Sequence, residues 1–332
     1  MITTYGDISP RTAAFVVVEL LKRGMPYLIL EKFGQAKTLP AGKTQSMKFR
    51  RYEHLPRATT PLVEGVSPTS IKPTFTDIIA VLRQYGSSIE LTDVVADTHE
   101  DPILQENTVL LGEQAAMTME EVRWNIVKAG TNVYYANGTA RTDVNVPISL
   151  AKQRAITRGL KRQYAMKVTS IVKSTPNFNT ESVLPSFVAI AHTDVESDIR
   201  SMPGFIDVKD YGQVTPWEYE VGAVEDVRYL LSPVFTNWAD GGGAFAGSGT
   251  AMLSTTGVSA DIYPVIYVAR NAYGLVALKG KFAVTPSVLN PNTPRGGDIL
   301  GQRGGMGWKT MQSAVILNDA WLARLEVAVT AL

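Results

Sequence analysis

The spacing of apolar residues changes period several times along the chain, and each change marks an expected element. Residues 10–33, opened by Ser9-Pro10 and running through "AAFVVVELL", carry apolar positions at helical spacing. Ser9 is the expected N-cap, and Pro10 falls in the first turn, where a missing N–H costs nothing. The run is broken by Glu19 and is too short to span a bilayer. After Pro40 and Gly42 the period drops to two. In "SMKFRRYEHL", Met47, Phe49 and Arg51 alternate with Lys48, Arg50 and Tyr52, which predicts a strand. A second β-rich run, "TDIIAVLRQYGSSIELTDVV", follows and is interrupted by Gly86. Together the two runs predict a long two-stranded arm, with "LVEGVSPTSIKPTF" (62–75) forming its tip and returning edge. Pro68 and Pro73 suit an exposed edge that must not pair indiscriminately.

From Asp101-Pro102 to about Tyr135 the spacing is helical again. Leu104, Leu111, Ala115, Val122, Ile126, Ala129 and Val133 fall near one face. At about 1.5 Å per residue this predicts a rod of roughly 50 Å, ending at the turn-rich "YYANGTARTDVN". A second helix is expected over "SLAKQRAITRGLKRQYA". Beyond residue 183 the pattern becomes α/β. "SFVAIAH" fits a buried strand, "TDVESDIRSM" a helix capped by Thr193, and "EYEVGAVEDVRYLLSP" and "YPVIYVARNAYGLVAL" further strands. In "WLARLEVAVT", Trp321, Ala323, Leu325, Val327 and Val329 face one way and Arg324, Glu326 and Thr330 the other. The preceding "AVIL" run is expected to pair with it across Asn318-Asp319.

Composition narrows the function. With 332 residues, 45% hydrophobic and 19% charged, the chain is globular and long enough for a large core. The net charge of +1 confines any polyanion-binding surface to a local patch. The absence of cysteine rules out disulfides, thiol nucleophiles and cysteine-ligated metals. The three histidines, His54, His99 and His192, are scattered, and the His192-x-Asp194 pair reads as a strand-end cap. The "GGGAFAGSGT" loop lacks the lysine of a phosphate cradle. It and "PRGGDILGQRGGMG" read as surface loops. No catalytic, cofactor-binding or metal-ligating residue is assigned, and no enzyme activity is expected. Lys152, Arg154, Arg158, Lys161 and Arg162 of the second helix form a cationic run without an acid. The simple reading is a solvated face; the sharper one is a patch facing a polyanion.

The order of elements carries more information than any residue. An opening helix, an extended β-arm, a long helix and an α/β lobe with a returning terminal strand resemble the Hong Kong 97-type fold of tailed-phage major capsid proteins. The motifs "LVEG" (62–65), "TF" (74–75), "IIAVLRQYG" (78–86), "SIELTD" (88–93) and "ANGT" (136–139) resemble that family's in order and spacing. The "VYYANGT" turn, "FVAIAHTDVESDIRSMPGF" and the "GWK…VILND…LEVAV" ending are most similar to coat proteins of N-four-type podophages. The resemblance covers almost the whole chain.

It implies an α+β fold: an N-terminal arm and helix (1–36), an extended β-hairpin loop (37–92), and a peripheral domain with a spine helix (93–142). An α/β axial domain (143–300) and a return to peripheral strands (301–332) follow, so that the spine helix and the C-terminal strand form the peripheral domain. It implies a major capsid protein that self-assembles into hexamers and pentamers of an icosahedral shell around double-stranded DNA. The virion capsid is then its location, and the host cytoplasm its place of assembly. Expected partners are other copies of the chain, a separate scaffolding protein, a portal, decoration or cement proteins, and packaged DNA through weak non-specific contact; no cofactor or membrane is expected. Lys48, Arg50, Arg51, Glu53, Arg57, Leu62, Val63, Glu64 and Phe75 are candidate intersubunit contacts of the arm. Lys152, Arg154, Arg158, Lys161 and Arg162 are the candidate DNA-facing patch. An encapsulin-like compartment shell is the alternative, and an α/β enzyme a weaker one.

Overall fold

The computed structural model of the protein describes residues 28–40, 42–94, 103–168, 185–211, 216–244, 252–278, 284–289, 291, 294 and 296–331. The Ser9-Pro10 cap and most of the expected first helix lie outside these residues. Where that helix was expected to end, the chain makes one 3-10 turn, Leu30–Lys32. It then enters β1 (Gln35–Leu39), which pairs in parallel with β11 (Tyr273–Leu278).

The alternation expected around Phe49 is present. In β2 (Ser46–Tyr52) Phe49 is buried while Lys48 and Arg50 are exposed. β2 pairs antiparallel with β3 (Phe75–Val81) as a separate two-stranded sheet. The long arm expected from the sequence is shorter than predicted, because its second run divides at Leu82. Gln45 clasps that residue: its main-chain carbonyl accepts from Leu82 N at 2.9 Å and its side-chain amide donates to Leu82 O at 3.0 Å. The fully buried Leu82 turns the chain out of the hairpin. The next strand, β4 (Arg83–Thr92), pairs instead with β13 (Arg303–Ile316).

The five-stranded sheet runs β1-β11-β13-β12, with β12 at Thr285–Leu289 and β4 on the other side of β13. Helix α1 (Ile103–Val127) covers one face, where Leu111, Ala115 and Met119 meet Met306 and Trp308. The β2–β3 hairpin packs on the other face through Phe49, Ala80 and Leu82 against Leu39, Val276 and Leu317. Gly274 permits that approach, since a Cβ there would lie 2.9 Å from the Phe49 ring.

α1 has 25 residues, a length of about 38 Å, and not the longer rod expected. Its last turn tightens to Gly130, and Val133–Tyr135 forms strand β5. Gly130 lies just beyond the helix, where a Cβ would come within 2.9 Å of the Leu322 side chain, and β-branched Thr131 and Val133 favour the strand. The buried face also differs from the expected one. It runs through Thr108, Leu111, Ala115, Met119, Glu120, Arg123, Trp124 and Val127, while Ala129 is exposed and Val122 and Ile126 are half-buried. A buried acid and base on that stripe disguised its phase.

The seven-stranded sheet has the order β5-β14-β10-β6-β9-β8-β7. Its strands are β6 (Phe187–Ala191), β7 (Phe205–Asp207), β8 (Glu220–Val224), β9 (Val227–Leu231), β10 (Tyr263–Val268) and β14 (Leu322–Val327), together with β5. Helices α2 (Leu150–Arg162) and α3 (Glu196–Arg200) cover one face, while Trp124, Ile29, Leu30 and Phe235 fill the other. α3 is shorter than expected; His192, not Thr193, caps the 3-10 turn before it. The "RGGMG" part of the expected 294–307 loop is the start of β13.

The alternation read in the terminal segment holds, but both faces are covered and every residue of β14 is buried. β14 joins the seven-stranded sheet and not the sheet under α1, meeting the Trp124–Val127 end of that helix through Leu322, and it does not pair with the "AVIL" run. That run ends β13, whose edges are taken by β11 and β4, and β14 pairs with β10 and β5. The chain therefore passes between the sheets three times, at 128–132, 269–272 and 317–321. Ala272 O accepts from Leu317 N and Asn318 N, Trp321 O accepts from Ala269 N, and Asp319 accepts from Thr131 N at 3.2 Å.

Candidate interaction surfaces

In the arm the charges expected at neighbouring subunits find partners closer to home. Arg50 lies opposite Asp77 in the β2–β3 register and donates to it twice, at 2.8 and 3.0 Å. Lys48 adds a third cationic contact at 3.5 Å. Arg50 holds the Asp77 carboxyl below its usual range. Arg51 bonds Glu53 at 3.0 Å and Leu317 O at 3.1 Å. Arg51 and the Thr76 hydroxyl hold the Glu53 carboxyl low. Arg57 donates to the Tyr164 hydroxyl at 2.6 Å. These pairs brace the hairpin and its root. They are solvated, so they set geometry more than stability.

The tip is different. Residues 53–74 are exposed throughout, and Leu62 and Val63 are 75% and 68% exposed. Val66 N donates to Val63 O at 3.1 Å, closing a turn in which Gly65 takes a φ of +79° that only glycine adopts freely. Phe75 is half exposed and lies under the Arg50 guanidinium at 4.1 Å. Leu55, Leu62, Val63, Val66 and Ile71 each leave an apolar side chain more than half exposed, more than a solvated loop needs.

Helix α2 begins at Ser149, whose hydroxyl accepts from Lys152 N, and buries Gln153, Ile156, Thr157 and Leu160. Gln153 is bound on both sides, donating to Val224 O at 2.7 Å and accepting from the Tyr229 hydroxyl at 2.7 Å. This turns the cations outward. Two of them are neutralised by acids absent from the helix itself. Arg154 bonds Glu225 at 2.9 Å through Nε, and Lys161 bonds Asp226. Arg154 holds the Glu225 carboxyl low. Burial pushes Asp226 up, but Lys161 and Lys167 outweigh it. Both acids form the two-residue turn between β8 and β9, and this gap between two strand-like runs was the signal available in the sequence. Lys152, Arg158 and Arg162 keep no ion-pair partner among the described residues. Arg158 and Arg162 border an open groove of about 530 Å³ with Lys161 and Thr157.

Several buried ionic contacts went unread, Arg228 with Glu220 among them. Glu120 on α1 is fully buried and accepts from Ile29 N at 2.9 Å and Leu30 N at 2.7 Å. Tyr273 donates to Leu30 O, and Arg123 bridges Glu31 and Gln312 at 3.3 and 3.1 Å. Burial pushes the Glu120 carboxyl up to about 7. Glu326 on β14 is also fully buried and takes both arms of Arg141 at 2.7 and 2.8 Å, with Arg324 at 2.9 Å. Trp238 lies against Arg141 at 3.7 Å. His192 accepts from Asp194 N and Asp194 from the Tyr263 hydroxyl, an arrangement that caps a turn.

Comparison with known proteins agrees with this architecture. The family model described as phage capsid protein matches residues 76–321. No curated protein is similar in sequence. The capsid of Ralstonia phage GP4 superimposes with a TM-score of 0.65 at 12% identity, covering 90% of this chain and 87% of that one. The capsid of cyanophage P-SCSP1u gives 0.57 at 13%, covering 91% and 88%. The capsid asymmetric unit of cyanophage Pam1 gives 0.57 at 12%, covering 91% of each. The chain belongs to the phage capsid protein family. Its two sheets, long helix and projecting hairpin are the Hong Kong 97-type fold of a major capsid protein, a structural protein of the virion shell.

Proposed function

We propose that copies of this chain close into hexamers and pentamers of an icosahedral shell around the double-stranded DNA of a tailed bacteriophage. The seven-stranded sheet with α2 and α3 is the axial domain, gathered at the capsomer centre. The five-stranded sheet with α1 is the peripheral domain, and the hairpin is the extended loop that lies over a neighbour. One observation carries the reading: the arm tip exposes Leu55, Leu62, Val63, Val66 and Ile71, which the described part of its own chain leaves uncovered. A second copy supplies that cover, as closed symmetric assemblies require of one repeated surface.

Assembly takes place in the host cytoplasm with a separate scaffolding protein and a portal, and decoration or cement proteins bind the outer surface. The groove beside Arg158 and Arg162 supports weak, non-specific contact with packaged DNA. Deleting residues 55–72 tests the arm. The shortened chain should keep its circular dichroism spectrum and thermal unfolding, yet form few particles by electron microscopy. Particles in normal yield would sink the proposal.

A further inference from the structure

A groove of about 480 Å³ lies between the C-terminal half of α1 and the start of β4. Tyr85, Val122 and Ile126 line it, Arg83 and Asn125 stand exposed at its mouth, and Gln312 of β13 lies within it. Gln312 is only 3% exposed. Its Oε1 accepts from Arg123, which fixes the orientation of the amide, while its buried Nε2 has no hydrogen-bond partner among the described residues. A buried donor left unsatisfied is costly and marks a place where an acceptor is wanted. Arg83 sits directly opposite Gln312 in the β4–β13 register and has no ion-pair partner among the described residues. A neutral donor and a guanidinium between apolar walls fit a carboxylate flanked by aliphatic side chains.

The chain itself presents such a group. Glu64 sits in the turn at the arm tip, beside exposed Leu62, Val63 and Val66, and makes no hydrogen bond or ion pair among the described residues. A second exposed acid beside bare aliphatics, Asp298 next to Ile299 and Leu300, already has its carboxylate held by Arg303 N at 2.8 Å. The groove of the same molecule is badly placed for Glu64. The hairpin packs on the face of the sheet opposite α1, and β3 runs about 20 Å from Val81, at the edge of the groove, before the tip begins.

Resting on the arm's role in the shell, we propose that the tip of a second copy seats Glu64 in this groove. Its carboxylate meets Arg83 and Gln312 Nε2, and Leu62, Val63 and Val66 pack along Val122 and Ile126. The complementary pairing gives the arm a defined register on its neighbour.

The cysteine-free chain allows a direct test. The full-length double variant Glu64→Cys, Arg83→Cys, oxidised as assembled oligomers, should give a ladder of disulfide-linked species on a non-reducing gel. Neither single variant should give that ladder. A fast-migrating monomer bridged to itself, or oligomers without the ladder, would overturn the docking and leave the shell reading standing. A wild-type chain that forms no oligomer at any concentration, alone or with its scaffolding protein, would overturn both. Charge exchange is the second measurement. Glu64→Arg or Arg83→Glu alone should raise the concentration needed for assembly about tenfold or more, and the two together should restore it to within about threefold. Singles that assemble normally, or a double no better than the singles, would refute the pairing.

Discussion

Glu120 shows how one carboxyl ties the start of the described chain to the long helix. Its folded pKa, pushed up to about 7, lies above the unfolded value near 4.5. The folded protein therefore keeps a proton that the unfolded chain releases. The stability this proton contributes is fully present below the unfolded value and is lost as pH rises through the folded one. The fall should amount to about 3 kcal/mol between roughly pH 4.5 and pH 8. Glu120→Gln keeps an acceptor for Ile29 N and Leu30 N but cannot titrate. Denaturant unfolding at pH 5 and pH 8 should show a smaller decline for it than for the wild type, and an equal decline would disprove the assignment. Glu326 behaves differently, because Arg141 and Arg324 both converge on it. Glu326→Gln leaves the largely buried Arg324 and the partly exposed Arg141 without an anion and should cost about 3 kcal/mol by urea unfolding. Neither residue was legible in the sequence. Glu326 read as the solvent side of an alternating strand, and Glu120 as a polar position off the expected stripe. A polar side chain in a periodic pattern is ordinarily taken for a surface one, and only the tertiary layer above it reverses that.

At the scale of elements, the strands centred on Phe49, Ile190 and Leu325 were readable because their alternation or apolar runs are strong. Partner choice was not. Arg50 announces a cation, but Asp77 becomes its partner only through the β2–β3 register. The chain changes sheets at Leu82, and Gln45 enforces this from 37 residues away. The long helix was expected to run on to about Tyr135, when it ends at Val127. The cationic run of α2 was visible, yet the acids of the β8–β9 turn answer two of its members. A phosphate-binding surface should therefore centre on Arg158 and Arg162. Full-length protein titrated with duplex DNA should bind more weakly as salt rises. Arg158→Ala with Arg162→Ala should reduce the slope of that dependence by about two, while Arg154→Ala should change it less. Binding indifferent to salt, or unmoved by the pair, would leave the patch as a solvated face.

For the whole molecule, the order of elements carried the family although no single motif is specific. A shell subunit needs no catalytic constellation, so its identity is spread over topology. What the sequence concealed was how the chain is shared between sheets. β11, β12 and β13 lie under the long helix while β10 and β14 lie in the other sheet, and adjacent strands in sequence thus belong to different lobes. Trp124 is where the lobes meet. It stacks on Phe235 with ring centroids 4.4 Å apart and donates to Thr236 O at 3.2 Å, among residues of both sheets. Trp124→Ala should cost about 3–5 kcal/mol and split a single calorimetric transition into two, whereas one unbroken transition would show that the lobes are coupled elsewhere. The three crossings at 128–132, 269–272 and 317–321 have a mechanical consequence. They run side by side and are laced to one another by backbone and Asp319 hydrogen bonds, so they form a strap and not a pivot. Such a strap flexes across its width and resists sliding along it. A subunit built on one can follow a change of curvature between five-fold and six-fold neighbours without reweaving either lobe.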